Sequence, residues 1–278
     1  MAPLVVPFDQ LLGEWGKSSP LQARIYFSIV GALAMLVATA AALRIFDRQP
    51  FSSIGLGASG FIRQALPGLA LGVLWLAVVV VGLWLADCLT ASHEGAVSIP
   101  LLLGGALDVF LNVLTQQLLL CGYLFQLLRR VSTTRTAIGI SALLFVAYHA
   151  GALADGGLPL LNLFLTGMLF CLCAVIANGL WFPIFLHFGW NFMLGPVLGL
   201  TVSASDDLGS GWRLLRLSGP DILTGGTFGL EGGIVTTLAT AILIVAIVRY
   251  GRRSKTSSPW PPSGPARAGG EPGARPLR

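Results

Sequence analysis

Seven apolar runs of near-spanning length leave this 278-residue chain few folds to choose from. They fall at about 25–43, 65–86, 101–128, 136–150, 158–177, 181–200 and 234–248. A helix needs about 20 apolar residues to cross a hydrocarbon core about 30 Å thick. Inside that core every backbone N–H and C=O must find a partner within the protein, and runs of this length find theirs in helices. Only 10% of the residues are charged and the mean hydropathy is +0.81, whereas a soluble domain carries roughly 25% charged residues. The expected fold is an all-α transmembrane bundle of seven spans, or eight if one more lies near the N-terminus. Residues 1–23 read as a polar-amphipathic lead, 24–250 as the membrane domain and 251–278 as a disordered tail rich in Pro, Gly, Ser and Arg.

Charge orients the bundle. With the N-terminus outside, the inner segments 44–64, 129–135, 178–180 and the tail from Arg249 hold 13 of the 17 basic residues, among them Arg129 and Arg130. Most of the acids, such as Asp87, Glu94 and Asp155, fall on outer segments. Basic inner loops are the rule for membrane proteins, so seven spans put the C-terminus in the cytoplasm. The net charge of +5 then reflects topology and attraction to anionic lipid, and nucleic acid is not an expected partner. The start, MAPLVVPFDQLLGEW, has no basic stretch ahead of an apolar core, so no cleavable signal peptide is expected. Arginine far outnumbers lysine, and Ala, Gly and Leu are abundant. That suggests a GC-rich genome. Cys88, Cys121, Cys171 and Cys173 have no metal-motif spacing and read as small apolar residues.

Polar residues within the runs carry the functional signal. Gln116 and Gln117 interrupt the third run, and at 100° per residue Asp108, Asn112 and Thr115 share a helix face that Gln116 flanks. Such a stripe must face protein or water rather than lipid. One reading is helix-to-helix glue by side-chain hydrogen bonds. The other is a polar pocket, favoured by His149 and His187 in two further runs, with Asn191 four residues after His187 on one helix face. By sequence no carboxylate stands beside the histidines. Glu231, just ahead of the last run in TGGTFGLEGG, reads as a carboxylate placed to favour a helix N-terminus.

These residues resemble the CPBP family, the type II CAAX prenyl proteases and bacteriocin-processing enzymes, whose motifs are EExxxR, FxxxH and HxxxN or HxxxD. FxxxH is similar to Phe145–His149 and HxxxN to His187–Asn191. The first motif survives in shape as Gln116, Gln117, three residues and Cys121, followed by Gly122 and Tyr123. The matched core runs from about 105 to 200. The resemblance implies a helical membrane protease in which the first Glu activates a water, assisted by the histidines and Asn. It makes Gln116, Gln117, His149, His187 and Asn191 the catalytic positions, Cys121 the Arg position, and His149, His187 and Asn191 the candidate metal ligands, with zinc as the metal. Membrane proteins or peptides would be the partners, besides the lipid bilayer.

The departures bear on chemistry. Glutamine has no proton to exchange near neutral pH, so it cannot act as the general base, and it brings no negative charge to a cation. Losing both carboxylates together with the arginine keeps the pocket neutral, because an arginine without them would be an unpaired buried charge. A catalytically impaired pseudoprotease that binds or scaffolds membrane proteins is therefore expected. The alternatives are a metallo-endopeptidase with a relocated base, such as Asp108 or a histidine, and a solute transporter. A Cys121–His149 nucleophile pair is a further form of the endopeptidase alternative.

Overall fold

The computed structural model describes residues 20–205 and 212–253, with side chains omitted at 152–154. It is a helical bundle. α1 is Pro20–Ala42 and runs on into a π turn, Leu43–Asp47. α2 is Phe61–Leu85. α3, Ile99–Gln117, continues through a π segment, Leu118–Gly122, into α4, Tyr123–Val131. α5 is Thr134–Tyr148, α6 Gly157–Ala177, and α7 Trp181–Phe192 with a π turn at Met193–Val197. α8, Ile234–Arg253, closes the bundle. The expected lead at 1–23 lies outside the described residues up to residue 19, and so does the tail from residue 254.

Local signals set the helix ends. Pro100 opens α3, where its missing N–H costs nothing. Thr133 caps α5 by accepting from the Thr136 N–H at 3.1 Å. α6 ends at Asn178 in the left-handed region, φ 54°, a conformation asparagine tolerates at a helix C-terminus.

Five helical segments are long and apolar enough to cross a membrane: Pro20–Asp47, Phe51–Leu85, Ile99–Val131, Gly157–Ala177 and Ile234–Arg253. The runs expected at 136–150 and 181–200 are helical but short. α5 has 15 residues and α7 has 12, or about 22 and 18 Å at 1.5 Å per residue. The run expected at 101–128 is interrupted by the π segment directly after the glutamine pair.

α7 sits at the centre, packed most extensively on α2 and also on α3 and α6. Glycines let α2 and α7 approach backbone to backbone. A Cβ on Gly68 would lie 2.5 Å from Phe182 O, and one on Gly189 would lie 2.8 Å from Leu69 O. Gly72, one turn on from Gly68, faces Leu186 O in the same way. Small residues four apart are a common device for close helix contact in membranes. Trp75, Val79, Val113, Phe145, Phe170, Leu186 and Trp190 fill the core between these helices. Leu66, Leu74 and Val78 on α2 and Leu238, Ile242 and Val245 on α8 are exposed, as lipid-facing positions should be.

Two features outside the bundle were not expected. Strands β1, Leu89–Gly95, and β2, Trp212–Leu217, pair antiparallel, with Leu89 opposite Leu217 and an irregularity between Ala91 and Glu94. Glu94 and Arg216 form an ion pair across them, both half-exposed. The segments Thr201–Ser205 and Gly225–Gly233 meet over one end of the bundle, where the Ala204 N–H donates to Phe228 O at 3.2 Å. Gly225 has φ 81°, and a Cβ there would run into Gly229 O, so only glycine suits that turn.

Candidate functional site

The bundle holds a partly open cavity of about 200 Å³, room for several waters at roughly 10–15 Å³ each. Gln116, His149, His187 and Asn191 all line it, together with Asp108 and Asn112 from the stripe on α3. Thr115 does not line it. Its hydroxyl donates to Leu111 O at 2.9 Å, and its side chain faces Gly31 of α1.

Amides dominate the hydrogen bonding. Gln116 Nε2 donates to Asn112 Oδ1 at 2.6 Å, one turn back on α3. Gln117 is fully buried behind the cavity wall, with Nε2 3.2 Å from His187 Nδ1. Asn191 Nδ2 lies 3.2 Å from His187 Nε2. His187 is therefore held by one amide on each ring nitrogen. Phe170 stacks on its ring, with centroids 4.5 Å apart and planes at 25°. His149 caps α5 with Nδ1 2.9 Å from Phe145 O, and its ring meets Phe145 at 4.6 Å. The Phe145–His149 spacing thus serves a local contact and brings the histidine to the cavity.

Cys121 lies elsewhere. Its sulfur is 3.3 Å from Cys171 Sγ, between the π segment and α6, and it does not line the cavity. A Cys121–His149 nucleophile pair has no geometric basis, since His149 Nδ1 bonds to Phe145 O and the thiol faces another thiol. Gln126 Nε2 reaches Cys121 O at 3.3 Å, a partner for a carbonyl in the interrupted helix.

Two carboxylates line the cavity along with the histidines, and neither bonds to a histidine ring. Asp108 pairs with Arg24 of α1, Nε to Oδ2 at 3.1 Å, and accepts from Ser28 Oγ at 2.6 Å. Glu231 accepts from Trp190 Nε1 at 2.8 Å, from the Ser203 N–H at 2.6 Å and from Ser203 Oγ at 3.0 Å. It ties α7 to the Thr201–Ser205 segment, while Asn162 of α6 donates to its backbone O at 2.7 Å. Desolvation pushes the Glu231 carboxyl above its ordinary value, and the donors from Trp190 and Ser203 pull it part of the way back. A glutamate between glycines in FGLEGG, ahead of an apolar helix, was the available signal. Its partners, 28 and 41 residues away, were not legible.

The residues present do not fit a resident divalent metal. Both nitrogens of His187 are engaged by amides, and both oxygens of Glu231 by donors. Among the described residues no three His, Cys, Asp or Glu side chains gather as a metal-binding group. An asparagine amide adds no negative charge to hold a dication.

Residues 98–193 match the family model of the Rce1-like type II CAAX prenyl endopeptidases. The match contains the glutamine pair, Cys121, both histidines and Asn191, and ends before Glu231. No curated protein and no solved structure matches the chain.

Proposed function

We propose that this is a membrane protein of the CAAX-protease type whose cavity binds a membrane-embedded polypeptide without hydrolysing it. One observation carries the reading: every acid lining the cavity is already committed. Asp108 is matched by Arg24 and Ser28, and Glu231 by Trp190 and Ser203. The positions where the resemblance calls for carboxylates hold amides engaged with Asn112 and His187. A general base needs a free lone pair within hydrogen-bond reach of the water it activates and a pKa near working pH. Neither glutamine offers one. A metal would not supply the missing step, because the donor set does not suit it.

Five apolar helices support a multi-pass membrane protein. On the finer topology we read seven crossings, with α5 and α7 as short spans inside the bundle, the protein in a bacterial cytoplasmic membrane and the α4–α5 turn on the cytoplasmic side. Arg129, Arg130 and Arg135 flank that turn. A cysteine placed at Ser132 should be labelled from the cytoplasmic side only, and periplasmic labelling would overturn the orientation.

The reading is tested by restoring the family's charges. Gln116→Glu with Gln117→Glu puts two carboxylates side by side in a buried wall, where they repel and one must protonate. That pair should express poorly. Adding Cys121→Arg should recover expression if residue 121 holds the counter-charge position. A triple variant no better folded than the double would show that the first motif is misaligned, and the roles given to Gln116 and Gln117 would fall with it.

A further inference from the structure

We infer that Gln117 sets the tautomer of His187, and that this turns the Asn191 NH₂ into the cavity as a donor for an uncharged carbonyl. The inference rests on the non-hydrolytic reading above and names the ligand chemistry of the same site.

Begin with the ring. Its two nitrogens meet Gln117 Nε2 and Asn191 Nδ2, each at 3.2 Å. Phe170 and Phe145 cover its faces and edge. No carboxylate among the described residues bonds to it, so an imidazolium here would be a buried charge without a counter-charge. A neutral imidazole has one donor nitrogen and one acceptor nitrogen. Both amides therefore cannot donate to it, and one must turn to present its oxygen.

Burial decides which. Gln117 is 0% exposed, and its Oε1 already lies in a spot with no partner. Turning it would put two N–H donors into that spot, and a buried donor without an acceptor forfeits its hydration with nothing in return. Asn191 lines the cavity and is only partly buried, so its freed NH₂ meets water or a ligand. Gln117 therefore keeps donating to Nδ1. Nε2 carries the hydrogen and gives it to Asn191 Oδ1, and the Asn191 NH₂ faces the cavity. A glutamate at 117 would do the reverse, because a carboxylate only accepts. It would hold the hydrogen on Nδ1 and leave the Nε2 lone pair free. The amide at 117 thus reverses the ring as well as removing a base.

The Asn191 NH₂ then offers N–H to the cavity, the complement of a carbonyl oxygen. The unpartnered Trp75 Nε1–H and Gln116 Oε1 are closed off from it, and Gln116 gives one N–H to Asn112. A carboxylate finds no spare cation, since Asp108 neutralises Arg24 at 3.1 Å, and Glu231 adds negative charge to the same wall.

The experiment is nitrogen NMR of the full chain in nanodiscs with ¹⁵N-labelled histidine, with His187→Gln assigning the signals. The expected wild-type ring has Nε2 protonated and Nδ1 bare, and Gln117→Glu exchanges the two. A wild-type ring protonated at Nδ1 overturns the assignment, even if Gln117→Glu fails to fold. N-acetyl-leucine methylamide should then shift the His187 Nε2 signal, while 4-methylpentanoate, a carboxylate with no amide, leaves it unmoved. An equal or larger shift with the carboxylate, or none with the amide at its solubility limit, overturns the ligand class. Hydrolysis is not read here, so either failure leaves the absence of peptidase activity to stand or fall separately.

Discussion

Replacing Gly72 by alanine should loosen the whole site without touching a polar residue. The glycine lies where α2 crosses α7, and a Cβ there would fall well inside contact distance of Leu186 O and 3.1 Å from the Trp190 N. Both obstacles are backbone, next in sequence to His187 and Asn191, so no side chain can swing aside. Gly68 and Gly189 keep the helices equally close on either side, at 2.5 and 2.8 Å for an added Cβ. The helices must therefore part along their length. Overpacking of this kind costs about 1–3 kcal/mol, and the rigid obstacles argue for the upper part of that range. At roughly 2–4 °C per kcal/mol for a chain of this size, the melting midpoint in detergent should fall by about 4–12 °C. The His187–Gln117 contact, 3.2 Å long, should lengthen past hydrogen-bond reach. Gly139 on α5 is the control: a Cβ there meets nothing within 4 Å, and alanine favours a helix over glycine by about 1 kcal/mol. Gly139→Ala should melt at or above the parent. If Gly72→Ala melts with the parent too, the close α2–α7 packing is not what positions the site.

Two other perturbations follow from the cavity wall. The Glu231 carboxyl is raised in the folded protein, so its contribution to stability is complete below its unfolded value and is lost as pH rises through the folded one. Thermal stability should fall with pH across that window, and Glu231→Gln should flatten this part of the profile. Arg24→Met leaves the buried Asp108 carboxylate with Ser28 alone and should destabilise by roughly 1–3 kcal/mol, with Asp108→Asn in the same background recovering most of it in a denaturation series.

What the sequence revealed and what it hid divide along a physical line. Apolar runs gave the helices because spanning length and helical periodicity are local properties. The pairs Phe145–His149 and His187–Asn191 were legible because four residues make about one helical turn, and the structure uses both as hydrogen-bonded neighbours. The Gln117–His187 contact joins residues 70 apart, and Arg24–Asp108 residues 84 apart. Only packing creates such partners. The donors to Glu231 come from α7 and the Thr201–Ser205 segment, partners that its position before α8 could not show. The β1–β2 pair escaped because its strands are short and lie more than 100 residues apart.

The central claim, a cavity that binds a membrane polypeptide but does not cut it, is tested most directly by a cleavage assay. The purified full chain, in lipid nanodiscs, would be incubated with prenylated and unmodified membrane peptides, with and without added zinc, and the products read by mass spectrometry. The account predicts intact peptides under both conditions and the same result for His187→Ala. Cleavage by the wild-type protein that disappears in His187→Ala would contradict it.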